Sequence, residues 1–317
     1  MAFLNVKFDK FGNRSVIKED KDTVSNNQKL MATIKKMHSV VENVDLDKQR
    51  HSQDTFGTLF GTHPSIVFEP LKIGKIEAEW TKLRHPGNDS RMILYCHGGG
   101  YATGSCRYAR SVTAKLAVAT GLPTLAFNYR LAPEHPYPAA IDDAGKVWDY
   151  FMHLGIGAKN VIVIGDSAGG NLALELVLGL KAKARELPKA LVLFSPWTDM
   201  TSSGASHQEK ADIDPVLEKN YLEQMIQCYA GERELSGTEL SPLFADFTGF
   251  PPVYIQVGEN EILLDDSTRL YKKLLEDKVL TRIETYEGMW HVFQMAPFKR
   301  SFDAVKEAAD FIYEICR

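Results

Sequence analysis

A mostly parallel α/β sheet clad in helices is the fold this sequence predicts. Three observations carry it. From residue 91 onward, short apolar runs alternate with longer, amphipathic ones. The short runs lack in–out alternation, as expected of strands covered on both faces by helices. One of them, residues 160–164, passes through Gly165-Asp166-Ser167-Ala168-Gly169 into a helix-prone run, which makes a strand, tight turn and helix.

The elements follow in order. Residues 1 to about 50 are charged, with Leu30, Met31, Ile34 and Met37 at helical spacing, so they read as a helical extension. Residues 66–70 and 73–80 read as paired strands, the second with alternating faces. Strands are expected at 91–96, 123–127, 160–164, 189–194, 252–257 and 280–285. Helices are expected near 107–119, 139–153, 169–181, 267–276 and 302–315. The connection between residues 194 and 252 is far too long for a structureless loop in a compact domain. Within it, residues 221–229 have a helical pattern. Residues 199–232 therefore read as an inserted helical segment that joins residues 1–50 in a cap. It leaves the carboxyl edge of the sheet, where open α/β sheets bind ligands. Residues 1–317 read as one capped domain.

Composition narrows the function. With 317 residues, 44% hydrophobic and 25% charged, the chain can bury a large core. A formal net charge of −4, without a basic patch interleaved with aromatics, points away from nucleic acid and from stable membrane association. Four cysteines, at 96, 106, 228 and 316, form no C-x-x-C pair and suggest neither a disulfide framework nor a thiolate zinc site. The amino-terminal stretch becomes charged before a long apolar region develops, so a cytoplasmic protein is expected. A homodimer is compatible with the sequence.

The turn at Ser167 is where chemistry enters. A serine hydroxyl is inert until a fold sets it beside a base, and a strand–turn–helix elbow exposes it for that purpose. A second apolar run, 91–96, leads straight into His97-Gly98-Gly99-Gly100-Tyr101. Three glycines suit neither helix nor strand. They suit a loop whose amides point into a pocket, as acyl transfer requires when charge builds on a carbonyl oxygen. Gly98, Gly99 and Ala168 are the expected donors, and His97 the orienting residue of the loop. An elbow of this kind places an acid and then a histidine later in the chain. His291, after the strand at 280–285, has the right order and loop position. For the acid, Glu261 is favoured, with Glu259 and Asp199 as rivals. Asp265 and Asp266 read as starting the next helix, where carboxylates meet free amides.

These stretches, with Tyr129-Arg130-Leu131-Ala132-Pro133-Glu134-His135-Pro136, Ser195-Pro196-Trp197-Thr198-Asp199 and Gly288-Met289-Trp290-His291, resemble the hormone-sensitive-lipase-like carboxylesterases of the α/β-hydrolases. The resemblance covers about 65–315 and extends weakly into the amino-terminal segment. It implies a serine, acid and histidine at Ser167, Glu261 and His291, with oxyanion donors at Gly98 and Gly99. The family acid is more often aspartate, and this chain carries Glu261 instead. Arg130 and Glu134 are expected to brace the loop beneath the glycines, and Asp166 to accept hydrogen bonds near the elbow.

The expected reaction is hydrolysis of short to medium acyl esters through a serine acyl-enzyme, with no cofactor and no metal. His-Glu-x-x-His and the dinucleotide fingerprint are absent from the sequence. Amide, carbamate or lactone hydrolysis would use the same residues. A binding protein on a disabled hydrolase scaffold is the alternative of a different class, and the presence of His291 counts against it.

Overall fold

The computed structural model describes residues 15–17, 45–59 and 63–317. Among the described residues nine strands form one sheet: β1 Ser15–Ile17, β2 Ile66–Ile73, β3 Ile76–Leu83, β4 Met92–Cys96, β5 Thr124–Phe127, β6 Val161–Asp166, β7 Ala190–Phe194, β8 Val253–Gly258 and β9 Thr281–Tyr286. Their order across the sheet is β1-β9-β8-β7-β6-β4-β5-β3-β2. From β5 through β4, β6, β7 and β8 to β9 and β1 the pairs are parallel. The β2–β3 hairpin completes the other edge in antiparallel sense.

Strand periodicity sorts the apolar residues onto two faces. In β6, Ile162 and Ile164 face one way and Val161 and Val163 the other, because successive side chains alternate. The first face is covered by α2 Cys106–Thr120 and α8 Lys299–Ile315, through Ala109, Val112, Val305 and Phe311. The second is covered by α3 Ala139–His153, α4 Ala168–Ala182 and α7 Leu264–Glu276, through Trp148, Leu172 and Leu270. Burial on both faces explains why these strands read as continuous apolar runs.

Between β7 and β8 the chain forms the short helix α5 Ser206–Glu209 and the longer α6 Lys219–Ala230, a helical cap region. Ahead of the sheet, α1 spans Leu46–Leu59.

Three expectations need correction. Residues 15–17 are a strand along β9 rather than helix, so this part of the amino-terminal segment extends the sheet. Among the described residues the helix of that segment, α1, begins at Leu46 and continues past residue 50. The helical pattern around Leu30–Met37 lies outside the described residues. The boundary between the early strands also moves. Gly74 adopts φ +60° and turns the hairpin, so the first strand runs on to Ile73 and the second starts at Ile76.

Candidate active site

Ser167 stands between the end of β6 and the start of α4, with φ 53° and ψ −123°. A non-glycine residue pays for such a conformation and needs surroundings that impose it. Its amide donates to the Phe194 carbonyl at 2.9 Å, and its own carbonyl accepts from Gly170 and Trp197 at 2.9 and 3.0 Å. The neighbours must be small. A Cβ on Gly165 would lie 2.2 Å from the Gly169 carbonyl oxygen, and one on Gly169 2.1 Å from that of Cys96. Ser167 itself keeps only 8% of its surface exposed.

His291 follows β9 and Glu261 follows β8. Both strands run parallel to β6, so all three residues leave the same carboxyl edge of the sheet. His291 Nδ1 and Glu261 Oε2 lie 2.6 Å apart in a hydrogen bond. The other carboxylate oxygen, Oε1, accepts from the Gly258 amide at 2.6 Å and from the Ser195 hydroxyl at 2.8 Å. Burial pulls the His291 imidazolium down. The hydrogen bond and charge of Glu261, with the charges of Asp214 and Asp166, outweigh that and hold its pKa above the ordinary value. The rival carboxylates are engaged elsewhere. Glu259 accepts from the Gly288 amide at 3.3 Å. Asp199 accepts from Thr201, Ser203 and Arg269. Asp266 accepts from the amides of Thr198 and Asp199 and meets His207 Nε2 at 3.0 Å, while Asp265 accepts from the Ser206 amide. These last two begin α7 as expected, but their carboxylates tie it to the root of the cap rather than cap their own helix.

The glycine loop brings a correction. The Gly98 amide donates to Asp166 Oδ1 at 3.0 Å, so its proton is directed into the protein and not into a pocket. Asp166, wholly buried, also accepts from Tyr95 Oη at 2.6 Å and Tyr108 Oη at 3.1 Å. Burial nevertheless pushes its pKa up to about 6. A Cβ on Gly98 would stand 2.3 Å from this carboxylate, which accounts for the first glycine of the three. Gly99 and Gly100 have φ of 112° and 60°, and their amides meet no acceptor among the described residues. His97 is buried, stacks on Tyr129 with ring centroids 4.1 Å apart, and places Nδ1 2.8 Å from the Gly98 carbonyl. Burial lowers its pKa to about 4, so it is a neutral loop residue at ordinary pH.

Arg130 and Glu134 brace different things than expected. Arg130 donates to Asp143 and to the Ala139 carbonyl, pinning its loop to α3 rather than to the glycines. Glu134 pairs with Arg50 of α1 at 2.7 Å. Arg50 then reaches the carbonyls of Ala102 and Ala132 at 2.9 and 3.0 Å, and so carries the bracing to the glycine loop. The bracing role of Arg50 has no local signal, because Ala102, Ala132 and Glu134 lie 52 to 84 residues away. Lys115 of α2 was also missed. Its ammonium donates to the carbonyls of Gln294 and Ala296 at 2.6 and 2.7 Å, just beyond His291.

Comparison with known proteins identifies the fold and its relatives. Residues 93–295 match the family model of the alpha/beta hydrolase fold. An esterase of Acinetobacter venetianus is 35% identical over 261 residues, 81% of this chain and 86% of that protein. An acetyl-hydrolase of Streptomyces hygroscopicus is 36% identical over 247 residues, 76% of this chain and 79% of that protein. The crystal structure of an esterase from the bacterial hormone-sensitive lipase family superposes with a TM-score of 0.87 at 30% identity, covering 94% of this chain and 99% of that one.

Proposed function

The chain belongs to the α/β-hydrolases, in their bacterial hormone-sensitive-lipase-like esterase family, and from that premise we propose how its esterase-type serine hydrolysis is carried out. Ser167 is the nucleophile. His291 takes its proton as the oxygen attacks an ester carbonyl, then gives it to the departing alcohol. Glu261 holds the imidazole in the working tautomer and stabilises its charged form. Water releases the acid in a second, equivalent step. The observation that carries this reading is the 2.6 Å bond between His291 and Glu261 at the sheet edge that also presents the Ser167 elbow.

Negative charge on the tetrahedral oxygen calls for convergent amides. Gly99 and Ala168 are assigned that role, and Gly100 takes the place expected of Gly98, whose proton is already given to Asp166. The preferred substrates are short to medium acyl esters. The acetyl-hydrolase relative supports this, as does the cap helix α6 lying on the glycine loop, with Met225 against Gly100.

The test is covalent labelling. A fluorophosphonate ester should leave its adduct on Ser167, found by mass spectrometry of the digested protein. Ser167→Ala should fold normally yet lose roughly 10⁴-fold or more in ester turnover. An adduct on another serine, or full activity in the variant, would reject the assignment.

A further inference from the structure

The segment Ser195-Pro196-Trp197 was conspicuous in the sequence but has no part in the scheme above. Its position is unusual. Ser195 is the first residue beyond β7, the strand between that of Ser167 and that of Glu261. It is fully buried and adopts φ +47°, a region that non-glycine side chains seldom occupy. Such strain persists only where surrounding contacts impose it, and it points to a task.

The contacts define the task. The Val292 amide donates to Ser195 Oγ at 3.2 Å. A backbone amide can only donate, so the hydroxyl keeps its single proton for another acceptor. That acceptor is Glu261 Oε1 at 2.8 Å. One hydroxyl thus joins the carboxylate to the residue directly after His291. Val292 is itself strained, a β-branched residue at φ +49°. The same short segment reaches the third partner as well, since the Trp197 amide donates to the Ser167 carbonyl at 3.0 Å.

We propose that Ser195 is a positioning residue for the hydrolytic reaction: its hydroxyl fixes the Glu261 carboxylate so that Oε2 faces His291, and it anchors the histidine loop to the same point. This rests on the reading of Ser167, Glu261 and His291 given above. Oε1 is saturated by the Gly258 amide and the Ser195 hydroxyl, which leaves Oε2 for the imidazole. Without the hydroxyl the carboxylate can turn, and the imidazole loses part of the Glu261 contribution that, with the charges of Asp214 and Asp166, holds its pKa up.

The experiment compares Ser195→Ala, Ser195→Gly and Glu261→Gln with wild type on one p-nitrophenyl ester, each normalised by active-site titration. Glycine relieves the backbone strain while removing the hydroxyl, so it separates folding from positioning. Both Ser195 variants should lose about ten- to a hundredfold in kcat with little change in KM, the usual worth of a hydrogen bond to a charged group. The midpoint of kcat/KM against pH should move downward in both, in the same direction as in Glu261→Gln. Wild-type kcat in Ser195→Gly, or a midpoint unchanged or raised, with Glu261→Gln impaired, overturns the positioning role alone. Full activity in Glu261→Gln overturns the triad reading and the positioning role with it.

Discussion

In the mechanism we propose, His291 couples activity to stability with opposite signs. Its folded pKa lies above the ordinary 6.5, since Glu261, Asp214 and Asp166 overcome the effect of burial. As a general base it works only when neutral. The rising limb of kcat/KM should therefore have its midpoint above 6.5, and Glu261→Gln should bring that midpoint down. Linkage runs the other way. The stability from the charged, paired imidazole is fully present below the unfolded value and is lost as pH rises through the folded one. Above pH 6.5 the enzyme should thus gain activity while this contribution to stability declines. Parallel pH profiles of kcat/KM and of urea midpoints check it. A wild-type activity midpoint at or below 6.5 would mean that the Glu261 pairing does not hold in solution. Gly169 shows a different kind of constraint. It reacts with nothing, yet a Cβ there would collide with the carbonyl oxygens of Cys96 and His97 at 2.1 and 2.5 Å. Its identity is fixed by the close approach of the end of β4 to the start of α4.

At the scale of elements, the sheet was legible because its strands are buried on both faces and bounded by turns. The helix expected at 139–153 is observed at those limits, and the strands from β4 onward lie within a residue or two of their expected ends. Chain order and loop position singled out His291, and the strand end singled out the loop holding Glu261. What escaped the sequence depends on long-range pairing or on the direction of one backbone bond. Gly98, Gly99 and Gly100 look alike in sequence, and only the fold reveals that the Gly98 proton meets Asp166. The strand at 15–17 is too short to show alternation and exists through its pairing with β9. Helix α1 likewise acquires its role through Arg50, which joins Glu134 to the carbonyls of Ala102 and Ala132. Exposed ion pairs contribute little, whereas a cation bonded to two carbonyls braces a loop. Arg50→Ala should therefore lower unfolding stability by about 1 kcal/mol, with Glu134→Gln costing about half as much or less. Urea denaturation measures both. Equal losses in the two variants would show that the ion pair, not the carbonyl bracing, is what matters.

At the scale of the whole molecule, the cap is moored to both halves of the proposed reaction machinery. Asp214, between α5 and α6, accepts from the Ile262 amide at 2.8 Å, directly after Glu261. At its far end, Tyr229 of α6 stacks on Tyr101 with centroids 3.7 Å apart and planes 1° from parallel. Between these moorings Met225 lies on the glycine loop, so close that a Cβ on Gly100 would stand 2.6 Å from its Cγ. A cap held at both ends cannot lift freely, and the space beneath it should limit the acyl chain. Each methylene that a pocket admits or refuses is worth ~1–3 kcal/mol, so the limit should appear as a steep step in kcat/KM. We expect p-nitrophenyl esters with acyl chains of about two to eight carbons to outperform the palmitoyl ester. Met225→Ala removes bulk from the cap without touching either mooring, and should move the step toward longer chains. If wild type hydrolyses butyryl and palmitoyl esters equally well, the cap sets no limit. If the step exists but stays in place in Met225→Ala, the boundary lies elsewhere than beneath α6.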